Sequence, residues 1–336
     1  NAKGEFTVTF SLLPDQSIPK ENEPIFNYRI TTDVSDINGE TRNGETILNA
    51  AYTSLELSSD LGQELNFQKK NSFTVFSKNL SGQHTPAEIH LTIHELKSPD
   101  RILRERLWPE SDKHVIIEKD YIQSFPFDVY SNEDDESKWE KKRLVVSADL
   151  NTAKDSIFTL KKSDLPAGKY MLEGTAKDQY GQKVRLEQSF TVIDPEASTP
   201  PLKMLDWFTV LKDNAMPGGV DQILIGSSDK DVRVLYEIEL KGKIISKQWI
   251  ELNRSQQLIS IPVKEEYRGN FSVYFTFIKR GRSFTHSAVL NVPWDNKELS
   301  YKYESFRSKL TPGQKEEWRI RITGKQGDKV SAEMLA

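Results

Sequence analysis

Cysteine is absent from this chain. Its absence removes disulfides, zinc–thiolate centres, a cysteine nucleophile and an internal thioester from these residues, and leaves burial to hold the fold. Lack of disulfides in a chain of 336 residues favours a cytosolic or bacterial-envelope setting over secretion by a higher organism. No apolar run approaches the ~18–20 residues that span a bilayer, and Asn1-Ala-Lys-Gly-Glu-Phe6 is no signal peptide, so any targeting segment or membrane anchor is expected outside the chain. Charge of one sign is not in excess either. With 29% charged residues and a net charge of -4, no basic field gathers nucleic acid or anionic lipid. Nowhere does a 3.6-residue apolar period last three turns, and the HExxH, Walker, Rossmann and GxSxG patterns are missing.

What the chain has instead is strict alternation punctuated by Gly and Pro turns. Leu165–Ile193 holds a complete hairpin: a Pro-Ala-Gly168 entry, a strand, a turn at Asp178-Gln-Tyr-Gly181 and a second strand. In that second strand Val184, Leu186, Phe190 and Val192 share one face, and Arg185, Glu187, Ser189 and Thr191 the other, as a half-buried strand requires. The same grammar recurs at Phe6–Leu12, at Phe26–Val34 up to the Asp36-Ile-Asn-Gly39 turn, at Ile89–Ile93, at Val232–Leu240 before Lys241-Gly-Lys243, and at Phe271–Phe277 before Arg280-Gly-Arg282. Asn-Gly supplies the positive φ of a tight hairpin. Short strands at this spacing predict an all-β chain of tandem fibronectin- or immunoglobulin-like sandwiches.

Length exceeds what one core holds, so several domains are expected. Residues 1–62 read as a partial sandwich, with a turn at Lys3-Gly4 and a first partner strand missing, which suggests that Asn1 is a cleavage or artificial boundary. Asp60-Leu-Gly-Gln63 reads as a linker, and 63–195 as a sandwich with a charged insertion over 98–143, where twelve acidic and nine basic residues show no sustained alternation. Lys119–Ser124 is its one helical hint. The proline-rich stretch Asp194–Leu202 reads as a stiff connector. A third sandwich follows over 196–295, and 296–336 opens a further one, with turns at Leu310-Thr-Pro-Gly313 and Lys325-Gln-Gly327 and a closing strand over Val330–Leu335.

Candidate chemistry is sparse. His90 and His94 have the i,i+4 spacing that shares zinc on a helix. On an alternating strand it separates the imidazoles by ~13 Å, so both are expected on the wet face. Glu133-Asp-Asp-Glu136 offers adjacent carboxylates, as do Asp229 and Asp231, and all are expected to be solvated. Asp36 and Asn38 are a fragment of a calcium loop without its other ligands and read as a plain turn. Trp249 lies on a polar face, Trp318 follows an apolar one, and Trp108 and Trp139 are expected to anchor the insertion. No catalytic, cofactor-binding or metal-ligating residue is assigned, and an enzyme is not expected.

The order of these turns, namely Asp36-Ile-Asn-Gly-Glu-Thr41 after an alternating strand, Leu165-Pro-Ala-Gly-Lys-Tyr170, then Leu310-Thr-Pro-Gly313 ahead of Gly324-Lys-Gln-Gly-Asp-Lys-Val-Ser-Ala-Glu333, resembles that of bacterial α2-macroglobulin-like proteins of the Bacteroidetes type. The resemblance implies a row of macroglobulin sandwiches scaffolding a protease-sensitive bait, and often a thioester, elsewhere in a longer parent. The chain then ends at Ala336 before the bait. It implies proteases and neighbouring macroglobulin domains as partners, entrapment by rigid-body shifts after bait cleavage, and a periplasmic or envelope location through a lipid anchor outside the chain. Rival readings are an adhesive or glycan-binding protein, which needs Trp249 in a groove with other aromatics, and a glycosidase, which needs two carboxylates ~5 to 9.5 Å apart across a cleft.

Overall fold

Alternation becomes strand nearly everywhere in the computed structural model, which describes residues 5, 7–20, 24–110, 112–305 and 309–324. The turns expected at Lys3-Gly4 and Lys325–Gly327 and the strand expected over Val330–Leu335 lie outside the described residues. The strand expected at Phe6–Leu12 does not form over its described part: residues 7–12 carry no strand pairing, and Val8 and Phe10 are exposed. Phe6 itself lies outside the described residues. An alternating segment without a partner strand has nowhere to place its backbone hydrogen bonds.

The chain divides into two compact units, residues 1–194 with 201–203, and residues 195–200 with 204–336. In the first, β1 (Ile25–Ser35) and β2 (Thr41–Ala51) form a two-stranded hairpin. Gly39 sits at φ +83°, and the Asp36 carboxylate accepts from the amides of Asn38 and Glu40 at 2.8 and 2.9 Å. Asp36 is therefore consumed by the turn, as expected of a plain hairpin.

A sandwich follows. Its five-stranded sheet runs β4 (Glu64–Asn66), β10 (Lys183–Ile193), β9 (Gly168–Lys177), β6 (Glu88–Leu96), β7 (Lys141–Asn151); the other sheet runs β3 (Glu56–Ser59), β5 (Ser72–Lys78), β8 (Ile157–Thr159). The Leu165–Ile193 hairpin is its centre: Val184, Leu186, Phe190 and Val192 are buried with Phe73, Val75, Ile89, Leu91, Ile93 and Leu172. Gln188 shares the inward face, and its amide is satisfied by Ser59 Oγ at 2.6 Å and the Gly62 carbonyl at 3.0 Å. Gly174 packs tightly, since a Cβ there would lie 3.2 Å from Leu91 Cδ2 and push that side chain aside. Asp60–Gln63 joins β3 to β4 within this sandwich, with Leu61 buried. The charged excursion leaves β6 and returns as β7, its paired neighbour, and carries α1 (Glu118–Ser124).

In the second unit β11 (Trp207–Lys212), β12 (Val220–Ser227) and β15 (Ser255–Pro262) face a sheet ordered β14 (Lys243–Leu252), β13 (Val232–Leu240), β16 (Gly269–Lys279), β17 (Arg282–Val292). Lys241-Gly242 and Arg280-Gly281 have φ of 51°, 78°, 50° and 71°, the paired positive values of two-residue hairpins. Val234, Ile223, Phe271 and Phe275 fill the core. The connector stretch lies against this unit: Gln256 donates from its backbone to Ser198 and from Nε2 to Ala197, both at 2.9 Å. A last hairpin pairs β18 (Leu299–Ser305) with β19 (Arg319–Gly324).

Candidate functional site

Strand geometry disposes of the histidine pair as a ligand set. His90 faces solvent, its Nδ1 2.7 Å from Oδ1 of its cross-strand partner Asp149, while His94 lies 3.1 Å from Glu173 Oε2 beyond a bulge at Ile93/His94. Glu173 is shared with Lys141 at 2.6 Å. Among the described residues no group of three or more His, Asp or Glu side chains is placed to hold a metal ion.

The expectation that Glu133–Glu136 is solvated is corrected at its two ends. Glu133 accepts from Arg101 Nη2 at 2.5 Å and from the amides of Tyr130 and Ser131 at 3.0 and 2.8 Å. Burial alone would push its carboxyl up; the Ser131 amide and the Arg101 guanidinium outweigh that and hold it below the usual carboxylate range. Glu136 pairs with the buried Lys169 at 2.6 Å. Asp134 and Asp135 remain exposed, and Asp135 caps a short 3-10 turn through Ser137. The run is thus a fastening for the insertion. Trp139 contributes by donating to the Glu133 carbonyl at 2.8 Å, as expected of an anchor, whereas Trp108, expected to anchor too, is 65% exposed. With Leu107, Val115, Ile117 and Phe125 it leaves the insertion richly apolar on its outside.

Asp229 is corrected likewise. It is buried, and Arg280 from the β16–β17 turn grips both its oxygens, Nε to Oδ2 at 2.6 Å and Nη2 to Oδ1 at 3.0 Å. Asp231 is exposed, as expected, at φ 54°. Trp318, expected on an apolar face, is exposed just before β19, edge-on to Tyr303 at 6.0 Å. Trp249 is 58% exposed with the Arg233 guanidinium 5.0 Å from its ring centre. The tyrosines that border the same cleft, Tyr236 and Tyr267, are buried and turned onto Phe275 and Phe271, so among the described residues of the cleft no second exposed ring joins Trp249.

Three groups escaped sequence reading. Asp178 takes four amide or hydroxyl donors: Tyr180 and Gln182 N on Oδ1, and Ser54 N and Oγ on Oδ2. The Ser54 amide foremost holds its carboxyl below the ordinary range. His286 Nε2 lies 2.6 Å from Asp206 Oδ1, with the Phe208 ring stacked on the imidazole at 4.3 Å. Asp221 is fully buried; its Oδ1 accepts from Ala215 N at 2.8 Å and its Oδ2 has no hydrogen-bond partner. Burial pushes its carboxyl up, with Asp213 adding and Lys212 opposing. Its signal in the sequence was an acid in phase with Ile223 and Ile225.

Against known proteins, residues 208–332 match the family model of the alpha-2-macroglobulin bait region domain. No curated protein matches. Among solved structures, Salmonella alpha-2-macroglobulin reacted with methylamine aligns at 12% identity over 91% of this chain and 19% of that one, with a TM-score of 0.29. Trypsin-activated alpha-2-macroglobulin from Escherichia coli aligns at 9% identity, 90% and 19% coverage and a TM-score of 0.28. A tetra-tandem repeat from the extending region of a large adhesion protein aligns at 12% identity, 90% and 72% coverage and a TM-score of 0.23. The chain thus spans 19% of the length of each macroglobulin structure. The match at 208–332 bears out the resemblance to alpha-2-macroglobulins drawn from the turns, but not its Bacteroidetes type.

Proposed function

We propose, from the premise that the chain is alpha-2-macroglobulin-like over residues 208–332, that it is a non-catalytic scaffold segment of a protease-trapping protein. Cleavage of a bait in the full-length parent lets the sandwich units shift as rigid bodies around the attacking protease. Proteases and neighbouring macroglobulin domains are its partners, and the cell envelope, reached through a lipid anchor outside the chain, is its location. One observation carries the reading: the matched stretch takes in the sandwich of β11–β17, whose buried acid Asp229 is gripped by Arg280 and whose core is aliphatic and aromatic. Such a body transmits displacement without deforming, because close-packed interiors move as units.

The test uses the full-length parent incubated with trypsin. Trapping predicts one early cut, a faster-migrating compact species on native gels, and bound trypsin that hydrolyses a small peptide substrate but not a large protein. Trypsin that keeps full activity on large proteins after the cut would overturn the reading.

A further inference from the structure

Three Asn-x-Ser triplets stand in the chain, Asn79-Leu-Ser81, Asn253-Arg-Ser255 and Asn270-Phe-Ser272, none with proline in the middle. Oligosaccharyltransferases read this triplet, and they use it where both chain and carboxamide are accessible. The structure separates the three. Asn79 spends its carboxamide on its own turn: Oδ1 accepts from the amides of Ser81 and Gln83, both at 3.0 Å, and Nδ2 donates to Gln83 Oε1 at 3.3 Å. Asn270 lies within β16, paired to Asn291 of β17, and Phe271 beside it is buried in the core.

Asn253 differs on each count. With Arg254 it forms the corner between β14 and β15, outside both ladders, and both residues are exposed. Arg254 takes φ 53° there, its amide donating to the Asp229 carbonyl at 2.8 Å. The Ser255 hydroxyl accepts from the Asn253 amide at 3.1 Å, so the corner already brings the acceptor and the hydroxyl of the triplet together. The Asn253 carboxamide makes no hydrogen bond among the described residues. Two residues ahead stands Glu251, its side chain 80% exposed, where the other two triplets have Ser77 and Arg268. A transferase with a cationic acceptor groove therefore gains a contact at Asn253 alone. We infer that Asn253 is a glycan acceptor. Its Nδ2 attacks C1 of an oligosaccharide carried on a lipid diphosphate, the C1–O bond breaks, the diphosphate leaves with the electron pair, and the amide proton passes to a carboxylate of the transferase. The inference draws on the proposed envelope location, where such donors are met, and not on protease trapping, so the purified chain tests it whatever trypsin does to the parent.

The probe is a lipid-diphosphate-linked oligosaccharide with a single-subunit transferase that glycosylates the free peptide of residues 249–257. Both are added to the whole chain, and intact mass and glycopeptide mapping give the occupancy. Glycan is expected on Asn253, with Asn79 and Asn270 occupied about tenfold less or lower still, because each needs local opening first. Asn253→Gln, at an exposed position, is expected to abolish the modification, and Ser255→Thr, which keeps the hydroxyl, to retain it. A chain left bare while the peptide is glycosylated, equal occupancy at Asn79 or Asn270, or undiminished glycan on Asn253→Gln would each overturn the inference.

Discussion

Arg280 donates through Nε and Nη2 to both carboxylate oxygens of Asp229, across 51 residues of chain. The arginine sits at φ 50° in the β16–β17 turn, so hairpin geometry aims the guanidinium at an acid buried just ahead of β13. Removing the arginine strands that acid. Arg280→Ala is expected to lower unfolding free energy by roughly 2–3 kcal/mol, less than the loss of a wholly buried pair because the Arg280 side chain is 35% exposed. Urea melts at neutral pH measure it. Arg280→Ala/Asp229→Asn should recover part of the loss, since no unpaired charge remains.

Asp221 gives a pH dependence of opposite sign. Burial raises its folded pKa above the unfolded one, so between the two the native state holds the extra proton and stability falls as pH rises; above the folded value the penalty is constant. Asp229, held low despite its burial, contributes stability that is present above the unfolded pKa and lost as pH falls through the folded one. Asp221→Asn keeps the acceptor for the Ala215 amide and removes the titration. Its stability relative to the natural chain is expected to climb from acid pH towards neutrality, reaching about 1–2 kcal/mol in favour of the variant. A difference constant with pH would show that this carboxyl titrates normally.

Local chemistry was legible in the sequence and distant partnership was not. Lys241-Gly242 and Arg280-Gly281 announced their turns, and the alternation of Val184 to Val192 announced its buried face, because both signals act within a few residues. Glu133, Glu136 and Asp229 were misread as solvated because the Arg101, Lys169 and Arg280 that hold them lie 32, 33 and 51 residues away. The strand expected at Phe6–Leu12 had the pattern without the partner. Trp108 and Trp318 show the converse: an aromatic advertises burial energy, yet both side chains remain largely exposed.

The two cores make the strand assignments testable. Phe190 and Phe275 are fully buried, the first stacked on Tyr170 at 5.6 Å and the second on Tyr236 at 4.7 Å. Phe190→Ala and Phe275→Ala are each expected to cost roughly 3–5 kcal/mol. Each unit has its own core, so each variant should lower one calorimetric transition and spare the other.

Between β18 and β19 the described residues 309–318 form no strand and are almost all exposed, with a turn where Gln314 N donates to the Thr311 carbonyl at 3.1 Å. Proteases need about eight residues of extended, accessible chain, which a paired strand withholds and such a loop offers. Lys309 and Lys315 present trypsin sites there, whereas the exposed lysines of β14 are paired to β13 on both sides of their bonds. Brief trypsin treatment is expected to cut first after one of these two lysines, leaving residues 204–293 intact by mass spectrometry. A first cut within β11–β17 would mean that the sandwich opens more readily than its core implies.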